Sequence, residues 1–79
     1  MDVKEKIGQR IKQLREISSM SQKDLAYSAD LDRSYIASVE NGNRNISIVN
    51  IEKIAIALNV NLKVFFDNDK FDVNSGSGK

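Results

Sequence analysis

Cysteine, proline and histidine are absent from this 79-residue chain, and glycine occurs only four times. Without cysteine there is neither a disulfide nor a thiolate metal site. Without histidine or cysteine, and with no glycine-rich phosphate loop or evident pair of carboxylates, an enzyme has little to work with. No metal or other cofactor is expected. The lack of proline and the shortage of glycine favour helices joined by short turns over a β-rich or loop-rich fold. No apolar run approaches the roughly 20 residues of a membrane span. The opening "MDVKEKIGQRIK" lacks the apolar stretch of a signal peptide, so a cytoplasmic protein is expected.

A large excess of one charge is also missing. Twelve Lys and Arg against eleven Asp and Glu leave a net charge of +1. That argues against a non-specific nucleic-acid coat, but leaves room for positive charge gathered on one face. Apolar residues make up 41%, enough for a core and too many for a disordered chain. The length fits one domain that buries a modest fraction of its surface.

Apolar periodicity marks five helices. Ile7, Ile11, Leu14 and Ile17 line one face of a first helix over residues 3 to 18. Ser21 caps a second, over residues 22 to 29, with Asp24 completing a capping box and Met20 and Leu25 forming a hydrophobic staple. Asp30 follows, a residue type that tolerates a left-handed backbone. Asp32 caps a third helix, which Asn41 and Gly42 stop. Ser47 caps a fourth, carrying Ile48, Ile51, Ile54, Ala55 and Leu58 and ending at Asn59. A short fifth helix, "NLKVFF", starts near Asn61. The expected organisation is a domain over residues 1–66 and a polar tail over 67–79, whose "NSGSGK" end is flexible by composition.

The stretch "AYSADLDRSYIASVENG", residues 26 to 42, carries the function. Two helices joined by about three residues, with the small Ala26 at their crossing, form a helix-turn-helix whose second helix is placed for the DNA major groove. On a wheel at about 100° per residue, Ile36 and Val39 define the buried side of the third helix. Ser34, Ser38 and Asn41 fall opposite, Ala37 lies beside them, and Arg33 and Tyr35 flank the N-terminal end. Arg pairs with guanine edges, Ser bonds either kind of base edge, and Tyr meets a thymine methyl or a phosphate. Gln22 at a helix start, and Asn43, Arg44 and Asn45 in the following loop, suit phosphates. Each has a plainer reading: Arg33 as a solvated charge, Tyr35 as a flank of the core, and Arg44 as an ion pair with Glu40.

The span from "MSQKDLAYSADLDRSYIASVENG" to "NRNISIVNIEKIAIALNVNLKVFF" resembles the lambda-repressor-like, xenobiotic-response-element family of helix-turn-helix domains. The resemblance covers residues 3 to 66 and rests on "SQKDLA", "YIASVENG" and "IEKIAIALNV" followed by "FF", in that order. Within the family, "LDRSYIASVENGNRNIS" is most similar to restriction–modification controller proteins. The resemblance implies a compact all-α domain of five helices and a homodimer that reads a palindromic operator. It places base reading on Arg33, Ser34, Tyr35 and Ser38, and phosphate contacts on Gln22, Asn43, Arg44 and Asn45. Asp30 departs from the family's usual glycine at the turn and puts a little strain there.

A single reading helix gains by binding two half-sites as a dimer. Val60, Leu62, Val64, Phe65 and Phe66 are the expected interface, a set rich in apolar groups for a terminal helix. Double-stranded DNA and a second copy are therefore the expected partners, with RNA polymerase added if the protein activates. No small-molecule ligand is expected, and the protein works on the nucleoid. The competing reading is an antitoxin or adaptor that grips a protein through "FDNDKFDV", with Phe71 and Val73 as anchors.

Overall fold

The computed structural model describes residues 1–72; Val73 and the "NSGSGK" end lie outside the described residues. Five α-helices follow in order: α1 (Val3–Ile17), α2 (Gln22–Ala29), α3 (Arg33–Glu40), α4 (Ile48–Ala57) and α5 (Leu62–Phe66). A 3₁₀ turn, Asp69–Phe71, comes after them. The all-α expectation holds among the described residues.

Local chemistry starts the helices. Asp2 and Glu5 form a capping box on α1, and Ser21 and Asp24 form the expected one on α2. The Ser21 backbone N–H donates to the Asp24 carboxylate at 3.0 Å, and that bond, then the Ser21 hydroxyl, holds the Asp24 carboxyl below its ordinary range. The box therefore supports the fold above the ordinary carboxylate range and loosens as the pH falls through the lowered value. Ser47 and Asn61 accept from the backbone of Asn50 and Val64. Asp32 occupies the N-cap of α3, but its side chain makes no capping hydrogen bond.

The core gathers Ile11, Leu25, Ile36, Ile54 and Phe65, all fully buried. α1 and α2 both pack on α3, and α4 packs on α2 and α5. Ile17, expected on the core face of α1, is 72% exposed because it ends the helix beyond the last partner. Ile48, expected in the α4 stripe, is 61% exposed in the first turn, while Ile51, Ile54, Ala55 and Leu58 are buried as expected.

Structure continues after Phe66. The Phe71 ring lies edge-on to Phe66 at 5.1 Å and 6.4 Å from Phe65, which anchors the 3₁₀ turn on the core. Phe65 is itself a correction to the expected dimer interface. It is 0% exposed within one chain and supports the α5 surface from beneath.

Gly8 sets the approach of α1 to α3. A Cβ there would lie 2.3 Å from the Val39 carbonyl oxygen and 2.7 Å from that of Glu40. Gly to Ala inside a helix ordinarily gains about 1 kcal/mol. Here the clash is with backbone, so the sign reverses. Gly8→Ala is expected to destabilise the fold by about 2 kcal/mol or more, read as a lowered urea midpoint. An unchanged or raised midpoint would show that the two helices can move apart freely.

Candidate nucleic-acid interface

Residues 30–32 join α2 to α3. Asp30 sits in the left-handed region at φ 58°, ψ 47°. Its N–H donates to the Tyr27 carbonyl at 3.2 Å, and that of Leu31 to Ala26 at 2.9 Å. This is a Schellman closure made without glycine. The backbone the turn requires is thus reached by Asp30 in the family's usual glycine position.

The closure aims α3. Ile36 and Val39 are buried, Arg33, Ser34 and Asn41 are exposed, and Ser38 and Ala37 are half-buried. The face expected from the helical wheel therefore exists. Gly42, at φ 77°, closes α3 with N–H bonds from Gly42 to Val39 and from Asn43 to Ser38, each 3.0 Å. Its position is tight, with Glu5 of α1 against it. Asn43, Arg44 and Asn45 then run exposed, and half-buried Ile46 pins the loop to the core.

Tyr35 is half-buried and packs against the core. Its hydroxyl accepts a hydrogen bond from Asn50 Nδ2 at 3.0 Å, and the Arg44 guanidinium lies 5.1 Å from its ring centroid. The plainer reading of Tyr35, a flank of the core, describes its ring, and its hydroxyl is held by α4. Arg44 does not pair with Glu40, the plainer partner its spacing offered.

Glu40 is turned inward instead. Arg15 Nε donates to Glu40 Oε2 at 2.7 Å, and Nη2 to Oε1 at 3.0 Å. The side chains are 11% and 2% exposed. The Glu40 carboxylate, mainly by hydrogen bonding, holds the Arg15 guanidinium pKa above its ordinary value. Gln22 Nε2 donates to the same carboxylate at 3.1 Å. The Gln22 amide is therefore engaged within the protein, at the first position of α2. Between residues 33 and 47 Glu40 is the only acid, and it is neutralised internally, so Arg33 and Arg44 are the exposed charges of that segment.

A family model described as helix-turn-helix matches residues 11–65. The control protein C.MunI of Mycoplasma sp. is 44% identical over 68 residues, covering 85% of this chain and 92% of that protein. The crystal structure of the restriction–modification controller protein C.AhdI from Aeromonas hydrophila superposes with a TM-score of 0.77 at 46% identity, covering 80% of this chain and 96% of that one. The C.Esp1396I controller tetramer, solved with its natural 35 base-pair operator, gives a TM-score of 0.81 at 39% identity, covering 85% and 88%. The chain belongs to the helix-turn-helix family of controller proteins.

Within this controller-family fold, sequence reasoning missed the residues that hold the reading helix. Arg15 and Glu40 are 25 positions apart, and no local pattern links them. Arg10 looks like another solvated charge of α1, yet it is buried and donates to the Phe65 carbonyl at 2.7 Å and the Val64 carbonyl at 2.8 Å. Asn50 follows a helix cap and carries no local sign of its bond to Tyr35. Breaking a buried pair strands the remaining charge, so Glu40→Ala is expected to cost about 3 kcal/mol or more. Urea denaturation reads this directly, and a loss below about 1 kcal/mol would mean that the pair behaves as a surface ion pair.

Proposed function

We propose that this chain is the sequence-specific DNA-binding regulator of a restriction–modification system, a transcription factor and not an enzyme. The observation that carries this reading is the outward face of α3. It offers Arg33, Ser34 and Ser38 beside a loop bearing Arg44, with the segment's single acid folded inside against Arg15. The likeness to a controller solved on its operator supports the same reading.

In the proposed complex α3 enters the major groove. Arg33 makes a bidentate pair with guanine, Ser34 and Ser38 bond neighbouring base edges, and Tyr35 brings its ring and hydroxyl to the groove wall. Arg44, Asn43 and Asn45 contact phosphates, and the N-terminus of α2 at Gln22 adds backbone N–H donors. A homodimer places two such helices on a palindrome. Its interface uses the apolar surface of Val60, Leu62, Val64 and Phe66, extended by the exposed Ile56 of α4. The protein acts in the cytoplasm on operator DNA. No helix among the described residues is long and apolar enough to cross a membrane. The reading as a partner-gripping adaptor is weaker, because the Phe71 ring is spent on Phe65 and Phe66.

Selection of bound duplexes from a random pool at near-physiological salt tests the function. A palindromic motif with half-sites about ten base pairs apart is expected. Weak, salt-sensitive binding without a motif would remove the reading. Arg33→Ala is expected to weaken the recovered site by about 1–3 kcal/mol and relax one base pair, while Arg44→Ala weakens all sequences alike and lowers the salt slope by about one unit. Equal loss of specific and random binding in Arg33→Ala would take Arg33 out of the base-reading role.

A further inference from the structure

The Tyr35 hydroxyl ties the outward side of α3 to α4. Asn50, in the first turn of α4, donates its side-chain amide to that oxygen at 3.0 Å. A phenol has one proton, and an amide N–H donor occupies a lone pair and not the proton. The proton is therefore directed away from Asn50. Arg44 approaches the ring from the loop between α3 and α4, 5.1 Å from the centroid, at a distance where cation and ring attract. The ring is thus gripped at its hydroxyl by one element and at its face by another. The Asn50 backbone N–H is independently held by the Ser47 hydroxyl at 3.1 Å, so its side chain is not needed to start α4.

We propose that Asn50 is a positioning residue for DNA binding. It holds the Tyr35 hydroxyl as an acceptor on its inner side, so that the phenolic proton is presented outward to a phosphate oxygen, and it keeps the ring where Arg44 can stack on it. Asn50 need not touch DNA to do this. It fixes the rotamer of a side chain that would otherwise be ordered at the moment of binding, and so removes that entropy loss in advance. The proposal rests on the regulator reading above.

The test is a double-mutant cycle of Asn50→Ala and Tyr35→Phe, measured on the duplex recovered by selection and on a random duplex of equal length. Thermal melts establish that each variant is folded. Asn50→Ala and Tyr35→Phe are each expected to weaken the recovered duplex by about 3- to 10-fold, and the double variant is expected to bind no more weakly than Tyr35→Phe alone. Independent losses that multiply in the double variant overturn the proposal while leaving the regulator reading intact. A pool that yields no motif overturns that reading and the proposal with it. In the free protein, the Asn50 side-chain amide resonances are expected to shift in Tyr35→Phe. Unmoved resonances overturn the proposal whatever the DNA measurements give.

Discussion

A carboxylate taken out of water must be paired and fully hydrogen-bonded, or it unfolds what surrounds it. Glu40 meets that requirement with donors from two other helices: Arg15 of α1 through two nitrogens, and Gln22 of α2 through its amide. Because Glu40 ends α3, the requirement becomes a geometric one. α3 can rotate or slide only by withdrawing its last side chain from α1 and α2 together. Gly8 reinforces this, since it lets α1 approach the Val39 and Glu40 carbonyls where a larger residue would collide. Arg15 also donates to the Met20 carbonyl at 2.8 Å, which ties the same guanidinium to the turn leading into α2.

The same pair shapes the electrostatics. Taken whole, the chain carries net charge +1, a balance that says little about affinity for a polyanion. The distribution matters more than the sum. An exposed Glu40 would set a negative charge at the end of the reading helix and beside Arg44. Folded against Arg15, it leaves Arg33 and Arg44 to define the potential over residues 33 to 47. One buried interaction therefore holds α3 in place and clears its outer face of the charge that would repel phosphates.

The short α5 poses a different problem. A five-residue helix such as α5 is too short to stand by itself. Arg10 holds it by donating to two of its carbonyls, and the Phe66 ring packs edge to face with both Phe65 and Phe71. With Phe65 wholly inside, α5 can turn Val64 and the flank of Leu62 outward, beside half-buried Val60 before it, without losing its hold on the core. This apolar surface lies next to Ile56, and the helix beneath it is held by a buried arginine that resembles a surface one in sequence.

The helices were legible in the sequence because their signals are local. Ser21 with Asp24, Ser47, Asn61 and the Gly42 stop act within four residues, and the apolar spacing of Ile51, Ile54, Ala55 and Leu58 repeats with the helical turn. The outward face of α3 followed from the same periodicity. Where a helix ended, periodicity misled: Ile17 and Ile48 continue their stripes beyond the last neighbour that could bury them. The turns at Ser19, Asp30 and Asn59 adopt left-handed backbones without glycine, a choice imposed by the chain direction needed after each helix. By itself the sequence determined the helix-turn-helix and the side of α3 that faces out. Tertiary structure alone decided that Glu40 pairs with Arg15 and not Arg44, that Gln22 is drawn inward, that Phe65 is core, and that Asn50 meets Tyr35. Each of those contacts joins residues far apart in the chain, and only the packed distances between helices select one partner from several of equal chemistry.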